Sequence, residues 1–269
     1  MEELQTDRIE QLIDGIYTGE ISVFDLPVWL YSHTVKNLDN SFFLGFGTIN
    51  KSEVLELEKA KYFRTNIGRF SGAKTFQEIK KLTDNVFLEN GKKMPFAQFK
   101  KIALNINANY NINYLRTEQD SVFSQSQNAR KWLKFEAEKE LFPTLQYVTI
   151  GDSNVRPSHR SLNGLILSVD DPKWNSIAPQ NEFGCRCMLI QREGHRTSTQ
   201  NQIETKTADV FKDFKKNATF KYNPGKTEYI FKENGVGKAS YFKVPREFKT
   251  ELKNNFGFPT VEYVTKKKV

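Results

Sequence analysis

The sequence has few cysteines and no long apolar run, and each shortage excludes a class of protein. Two cysteines in 269 residues are too few for the disulfide framework of a small secreted protein. No run of about 18 apolar residues occurs, so we expect no membrane-spanning helix. The amino-terminal residues are acidic and lack an apolar centre, which is not the pattern of a signal peptide. We therefore expect a protein that is made and used in a cytoplasm.

Acidic residues are under-represented only in the last part of the chain. Residues 193–269 carry 16 Lys and Arg against nine Asp and Glu, whereas residues 1–192 carry 24 against 23. This excess of positive charge attracts polyanions such as DNA, and Lys266, Lys267 and Lys268 are candidate DNA contacts. A solvated, lysine-rich surface explains the same composition. Arginines are few in this segment, which argues against base-specific reading.

The sequence does contain enough apolar material for a packed interior, since 38% of its residues are hydrophobic and 13% aromatic. Up to Pro143 the apolar residues recur at helical spacing, which predicts a mainly α region. Helices are predicted at residues 7–17, from 26–31 onwards, and at 74–88, 95–115 and 118–141. Short strands are predicted at residues 145–150, 165–169 and 188–191.

After residue 193 we predict a polar linker over 194–207 and then a small basic module. Its strands are expected at residues 218–222, 227–231 and 240–244, followed by a short helix at 245–255. The predicted fold class is therefore α+β. It comprises a helical N-terminal region over 1–95, a loop-rich α+β core over 96–192, and a small basic α+β C-terminal module over 193–269.

The densest group of polar and turn residues lies between residues 152 and 187. It holds one imidazole, His159, and two thiols in the motif Cys185-Arg186-Cys187. Because this segment has few apolar residues at regular spacing, something other than a core must order it. A bound metal is one possibility. The other is a network of charged hydrogen bonds among Asp152, Asp170, Arg156 and Arg186.

Several motifs of this segment occur in a fixed order: Tyr147-Val148-Thr149, Asp152, Val155-Arg156, His159, Leu162, Gly164, Asp170-Asp171-Pro172, Trp174 and Gly184-Cys185-Arg186-Cys187. Upstream stand Tyr114-Leu115-Arg116-Thr117-Glu118 and then Ala129, Arg130 and Trp132. Together these motifs resemble the signature of the phage Mu F-like head-morphogenesis family. The resemblance covers about residues 8–192 and is firmest over 114–188.

The resemblance implies a minor head protein of a bacteriophage, present in few copies at the portal vertex or in the head interior of the virion. It implies contact with the portal protein and the capsid interior, and in some members also with double-stranded DNA. It implies no contact with a membrane. Assembly would take place in the host bacterial cytoplasm. The residues to which it gives a role in the core or in a contact surface are Arg116, Glu118, Asp152, Arg156, His159, Gly164, Asp170, Asp171, Trp174 and Arg186.

The resemblance also implies a candidate zinc site. Many members of the family have four thiols, with a Cys-x-x-Cys pair upstream of the Cys-Arg-Cys motif. In this chain Arg156 and His159 stand at the two upstream positions, which leaves His159, Cys185 and Cys187 as candidate ligands. A fourth ligand would be Asp152, Glu182 or His195. The alternative is that the Arg156 cation replaces the metal through a salt-bridge network and leaves two reduced thiols.

Two enzyme hypotheses use the same residues. His159 and Cys185 would form a thiol–imidazole pair oriented by Asp152, or Asp170 and Asp171 would hold a divalent ion beside His159, as in a nuclease. The sequence has no glycine-rich phosphate loop, zinc-protease helix motif or serine nucleophile elbow. We therefore expect a structural protein rather than an enzyme. The alternative is a phage-carried effector or nuclease-like toxin with a Mu F-like packaging domain and a basic C-terminal module.

Overall fold

A helical first half and a mixed second half make up the part of the chain that the computed structural model describes, residues 6–50, 52–216, 220–232, 241–245 and 248. The helices of the first half are α1 Thr6–Thr18, α2 Val28–Phe46, α3 Val54–Asp84, α4 Phe96–Ala108, the π-helix Asn109–Tyr114 and α5 Leu115–Ala137. The elements of the second half are β1 Thr144–Val148, α6 Pro157–Ser161, β2 Ile166–Ser168, α7 Trp174–Ile177, β3 Met188–Arg192 and α8 Gln200–Lys216. The fold is therefore α+β, as the sequence predicts.

The helical region is built around α3. Phe63, Ile67 and Phe70 on this helix are buried and pack in one cluster with apolar residues of α2 and α5. Their removal from water is the main contribution to the stability of this region. α2 and α5 approach so closely that a Cβ on Gly45 would overlap the carbonyl oxygen of Phe123, so this crossing requires glycine. No helix among the described residues has the length and apolar character that a membrane span requires.

α3 begins at Val54, twenty residues before the predicted start at residue 74. The prediction is wrong there because polar side chains interrupt the apolar stripe of this helix. Arg64 binds Asp39 and Asn66 binds the main chain of Phe231, so these polar residues are buried with partners of their own. A buried polar residue with a partner has the same sequence pattern as a solvent-facing one.

The three strands form an antiparallel sheet in the order β2-β1-β3, and their bounds agree with the predicted strands to within two residues. Tyr147 of β1 pairs with Leu189 of β3. On the other side, the N–H of Gly164 donates to the Tyr147 oxygen and the N–H of Tyr147 donates to the Leu165 oxygen, both at 2.8 Å. Gly164 has a φ of +76°, a left-handed conformation that favours glycine. This turn leads the chain from α6 into β2 alongside β1.

Trp174 lies at the centre of the apolar core of the second half. It is fully buried and packs in one cluster with Leu145, Leu167 and Val210, and its Nε1–H donates to the Ser168 oxygen at 2.8 Å. Val210 belongs to α8, a helix that the sequence analysis does not predict because its first half falls in the expected linker. The buried stripe of α8 consists of Ile203, Thr207 and Val210, which is helical spacing in an otherwise polar stretch.

The described residues that follow α8 are irregular. Residues 220–222, 227–231 and 241–244 form no strand, so the strands predicted there are wrong within the described residues. Thr227 and Phe231 bind side chains of α3 through their main-chain oxygens, and the main-chain hydrogen bonds within these residues are local, as between Tyr222 and Phe220. The helix predicted at 245–255 lies outside the described residues except for residues 245 and 248, and Lys266, Lys267 and Lys268 lie outside them entirely. The boundaries of the three predicted domains stay a prediction.

Candidate functional site

The imidazole and both thiols of the sequence motif meet at one place, which we call the thiol–imidazole site (His159, Cys185 and Cys187). The Sγ of Cys187 lies 3.9 Å from Nδ1 of His159, and one ligand atom from each of the three residues lies within 4.8 Å of the other two. His159 is 3% exposed, and both cysteines are free thiols. Within the described part of the chain, no other three His, Cys, Asp or Glu side chains meet in this way.

Three local features bring these side chains together. Pro157 begins α6, where its missing N–H is not needed, and His159 follows in the first turn. Gly184 has a φ of +68°, so the chain turns sharply before the cysteines. The pairing of Met188 with Val148 then starts β3 directly after Cys187. The sheet thus positions the thiols, and α6 presents the imidazole to them.

Tyr147 and Asn181 close the interior side of the thiol–imidazole site. The Asn181 amide donates to the Tyr147 hydroxyl at 3.0 Å, and both side chains are buried. Burial and the neighbouring thiols raise the pKa of Tyr147, so its hydroxyl stays protonated. A hydrogen bond from the Cys187 thiol lowers the pKa of Cys185, and the same bond, together with burial, raises the pKa of Cys187. Cys185 is therefore the more acidic of the two thiols.

Two arginine–carboxylate pairs form the outer rim of the site. Arg186 binds Asp152 through two nitrogens, at 2.8 and 2.9 Å, and this hydrogen bonding lowers the pKa of Asp152. Arg156 binds Glu182 at 2.5 Å and the carbonyl oxygen of Phe183 at 2.9 Å. The Asp152–Arg186 pair is one that the sequence predicts, whereas the acidic partner of Arg156 is Glu182 and not an aspartate. All four charged side chains are partly exposed, so water screens each pair.

Asp170 and Asp171 do not join the thiol–imidazole site. Asp170 binds Lys139 at 2.9 Å, so its predicted pairing with an arginine of the rim is wrong. The Asp171 carboxylate accepts the N–H of Lys173 at 2.8 Å and thereby caps the turn that leads into α7. The divalent-ion site that would combine the two aspartates with His159 is also wrong, because these side chains do not meet within the described residues.

The donor set fits three positions of a zinc site. Zinc–ligand bonds of about 2.0–2.3 Å in tetrahedral geometry place neighbouring ligand atoms about 3.3–3.8 Å apart. The separation of 3.9 Å between Cys187 Sγ and His159 Nδ1 is close to that range. None of the candidate fourth ligands, Asp152, Glu182 and His195, belongs to the group of three. A solvent molecule completes zinc sites that have three protein ligands.

Glu118 lies in a different buried polar group, which we call the charge cluster (Lys74, Glu78 and Glu118). The Lys74 ammonium donates to the Glu118 carboxylate, and all three side chains are buried. The amides of Asn107 and Asn111 donate to Oε1 of Glu78 at 2.9 and 2.8 Å. The charge cluster therefore joins α3, α4, the π-helix and α5.

Two carboxylates share one ammonium in the charge cluster. Burial raises the pKa of Glu78 to about 7, although hydrogen bonds from the asparagines and the charge of Lys74 act in the opposite direction. Burial also raises the pKa of Glu118, against the attraction of Lys74. The cluster thus carries a proton on a carboxyl group at pH values where an exposed glutamate has lost its proton.

Sequence reasoning found one member of the charge cluster and missed Lys74 and Glu78. The available signal is that these two lie one helical turn apart on the stripe that continues to Leu82, which is apolar and buried. Arg116, which the resemblance assigns to the core or to its contact surface, is exposed on α5. A role for Arg116 is therefore confined to the surface.

Comparison with known proteins finds a family that is similar to the part of the chain that holds these sites. The family described as Phage Mu protein F like protein matches residues 73–190, somewhat less than half of the chain. The matched range contains both the thiol–imidazole site and the charge cluster. The resemblance to the phage Mu F-like family is thereby confirmed for this part of the chain.

The chain is similar over short stretches to a prophage protein and to a phage protein. The Mu-like prophage FluMu F protein of Haemophilus influenzae is 36% identical over 76 residues, which cover 25% of this chain and 18% of that protein. The putative capsid assembly protein F of Escherichia phage Mu is 36% identical over 50 residues, which cover 19% of this chain and 11% of that protein. The matched residues thus span less than a fifth of either relative. No solved structure matches this chain.

Proposed function

We propose that this chain is a minor head protein of a bacteriophage, which is built into the head interior or the portal vertex in the host cytoplasm. The observation that carries the proposal is the match of residues 73–190 to the Mu F-like family. One similar protein is named as a putative capsid assembly protein, which supports a role in the phage head. In this proposal the protein also bridges the portal and the capsid interior and contacts DNA.

The chain acts in this proposal without catalytic turnover. Asp152, which would orient the imidazole of a catalytic thiol–imidazole pair, is bound to Arg186 instead. The three residues of the site are held by a sheet and a short helix, as a structural element requires. Cleavage of DNA or RNA that disappears in His159→Ala would contradict this view. It would favour the alternative of a phage-carried effector or nuclease-like toxin.

The first test is whether the protein is present in phage particles. Proheads and virions of the phage that encodes this chain should contain it in few copies, as counted by quantitative mass spectrometry. Particles made without its gene should be defective in assembly or in infection. A protein absent from both kinds of particle would not be a head protein.

The solvent face of β3 is the proposed portal-contact surface. Met188 and Ile190 are 42% and 44% exposed on it, whereas Leu189 between them packs against the core. Two large apolar side chains next to each other on an edge strand favour a protein partner. This surface lies at the end of the matched range, directly after the thiol–imidazole site.

A pair of matched variants tests this surface. Ile190→Asp should weaken binding to the portal protein by about tenfold or more, measured by biolayer interferometry. The control is Leu44→Asp on α2, because Leu44 is 76% exposed and lies outside the matched range. The control should bind like the unchanged chain. Equal binding by both variants would place the contact elsewhere, and no binding by the unchanged chain would remove the portal from the proposal.

DNA contact is supported by the positive charge of residues 193–269. Binding to double-stranded DNA should weaken steeply with salt, because each phosphate contact releases a counterion. Replacing Lys266, Lys267 and Lys268 by alanine should reduce the slope of log affinity against log salt by about two to three. Filter binding over a salt series measures this slope, and an unchanged slope would exclude these lysines as contacts.

We also propose zinc as the ion that the thiol–imidazole site is able to hold. Native mass spectrometry with elemental analysis, before and after chelation, should find one zinc per chain. Cys187→Ser should lose the ion, and Asp152→Asn should retain it because Asp152 is engaged by Arg186. A folded chain without zinc would leave the ordering of this segment to its arginine–carboxylate pairs and its apolar core.

A further inference from the structure

The register of the sheet brings the Tyr147 side chain to Cys187. Tyr147 of β1 lies opposite Leu189 of β3, and Cys187 stands two residues before Leu189, directly ahead of the strand. Cys187 is therefore the diagonal neighbour of Tyr147 on the same face, a distance that a large aromatic side chain spans. The Tyr147 hydroxyl hydrogen-bonds with the Cys187 sulfur.

Asn181 fixes the direction of this hydrogen bond. Its amide nitrogen donates to the carbonyl oxygen of Ile177 at 3.1 Å and to the Tyr147 hydroxyl at 3.0 Å. A carbonyl oxygen only accepts, so the nitrogen of the amide, and not its oxygen, lies on this side. Because the hydroxyl oxygen of Tyr147 already accepts from Asn181, its single hydrogen is left to donate to Cys187.

Both residues of this chain of hydrogen bonds are shielded from water. Tyr147 is fully buried and Asn181 is 2% exposed. The side-chain oxygen of Asn181 has no hydrogen-bond partner among the described residues, which costs free energy at a buried position. Asn181 therefore acts through its donors. At this depth bulk water does not replace a donor that is lost.

The sulfur of Cys185 is surrounded by donors as well. The main-chain N–H groups of Asn181 and Cys187 donate to it, and so does the imidazole of His159. A protonated thiol is a weak acceptor, whereas a thiolate, the form that binds a metal, is a strong one. Hydrogen bonds to ligand atoms are the usual surroundings of metal-bound side chains. The site is thus arranged to hold its sulfurs as acceptors.

The ligand atoms are reached from the opposite side of the site. A pocket opens to solvent there, and its lining includes Asn154, Gly184 and Arg186 together with the thiol–imidazole site. Neither Tyr147 nor Asn181 lines this pocket. They lie behind the sulfurs and act on them from the interior.

We propose that Tyr147 is a positioning residue of the zinc site, whose hydroxyl, oriented by Asn181, holds the Cys187 sulfur by a hydrogen bond. This role rests on the zinc binding that is proposed above. The hydrogen bond fixes the place of the sulfur before an ion arrives, and it spreads the negative charge of the thiolate. Partners of ligand atoms contribute about 10- to 100-fold to metal affinity.

The first test removes only the hydroxyl. Tyr147→Phe keeps the buried ring and should weaken zinc binding by about 10- to 100-fold, measured by competition with a chromophoric chelator. The control is Tyr17→Phe, because the Tyr17 hydroxyl donates to the Met94 oxygen at 2.7 Å in the helical region. The control removes a hydrogen bond of similar kind and should bind zinc like the unchanged chain.

Cobalt in place of zinc gives a readout that packing does not move. A hydrogen bond lowers the energy of the sulfur lone pair, so the sulfur-to-cobalt charge-transfer band lies at higher energy with the bond than without it. The band of the Tyr147→Phe chain should therefore shift to longer wavelength. Asn181→Ala leaves the hydroxyl without its orienting donor and should shift the band in the same direction by a smaller amount.

A second substitution at the same position does not depend on the folding of Tyr147→Phe. Incorporation of 3-fluorotyrosine at position 147 keeps the hydroxyl and makes it more acidic, and therefore a stronger donor. The cobalt band should then move to shorter wavelength, opposite to the shift in Tyr147→Phe. A residue that serves packing alone would leave the band in place.

The outcomes separate this role from the proposed zinc site. An unchanged chain that binds neither zinc nor cobalt would overturn both. Equal zinc affinity of the unchanged chain and Tyr147→Phe, an equal loss in Tyr17→Phe, or a band unmoved by 3-fluorotyrosine would overturn the role of Tyr147 alone. The role of the protein in the phage head is tested separately, by the composition of the particles.

Discussion

The charge cluster and the thiol–imidazole site differ in how their buried polar atoms are satisfied. In the charge cluster, Lys74 faces Glu118 and two asparagine amides face Glu78, and the Tyr241 hydroxyl also hydrogen-bonds with Glu118, so each carboxyl group has side-chain partners inside the protein. In the thiol–imidazole site, the possible ligand atoms mainly face one another, and the arginine–carboxylate pairs lie outside them on the rim. A buried polar group whose members hydrogen-bond with one another fixes how the surrounding helices pack. Side chains whose ligand atoms converge on one point are instead able to bind a metal ion. Burial of polar groups alone therefore does not identify a functional site.

The largest expected effect tests whether the charge cluster is self-contained. Lys74→Ala leaves two buried carboxyl groups without their counter-charge, which should lower the unfolding free energy by about 3–5 kcal/mol. Urea denaturation measures the loss. The control, Lys80→Ala, removes an exposed partner of Asp84 and should cost no more than about 0.5 kcal/mol. Equal losses would mean that the buried pair is no better satisfied than a surface pair.

The next effect concerns the proton of the charge cluster. Because the pKa of Glu78 is raised from 4.5 to about 7 on folding, its contribution to stability is lost as the pH rises through this interval and then stays level. Glu78→Gln keeps an acceptor oxygen but does not titrate. The unfolding free energy of the variant minus that of the unchanged chain should increase by about 2 kcal/mol between about pH 5 and pH 8. A difference that stays constant with pH would contradict a raised pKa.

A smaller effect tests the apolar anchor of the loop-rich half. Trp174→Phe removes buried area and leaves the Ser168 oxygen without its Nε1–H donor, which should cost about 1–2 kcal/mol. Trp29→Phe, at a half-buried position of α2, should cost less. Thermal unfolding followed by circular dichroism compares the two variants. The reverse order would show that Trp174 is not the anchor of this core.

The smallest effect is expected for the rim of the thiol–imidazole site. Asp152→Asn removes one charge of an exposed ion pair, and we expect no resolvable change in the melting temperature, because water already screens this pair. Differential scanning fluorimetry is sufficient for this measurement. A loss as large as that of Trp174→Phe would mean that the rim, and not the apolar core, holds the site together.

Elements with an uninterrupted apolar period were predictable from the sequence. The strands β1, β2 and β3 agree with their predictions because alternating or continuous apolar residues report burial directly. The first twenty residues of α3 were not predictable in this way, since Arg64 and Asn66 are polar and yet buried. The strands predicted after α8 failed for a related reason, because their main-chain partners are side chains some 160 residues away.

The three residues of the thiol–imidazole site were predictable from the sequence, whereas only one of the two ion pairs around them was. Short motifs with fixed spacing place His159 near Cys187 once the strands pair. The pairing of Arg156 with Glu182 depends on the course of the loop around Gly184, which spacing alone does not determine. The burial of Lys74 and Glu78 was not predicted, because a lysine and a glutamate one helical turn apart usually form a solvated pair on the protein surface.

The distance along the chain between α3 and the segment around Phe231 that packs on it sets an order of events during synthesis. Asn66 and Phe231 are separated by 165 residues, and a ribosome that adds about 5–20 residues per second needs roughly 8–33 s to bridge that interval. For this time α3 has been made, whereas the segment that packs on it has not yet been translated. The surface of α3 that binds Thr227 and Phe231 is therefore exposed while the chain is still being made, and it is covered only when this C-terminal segment is released.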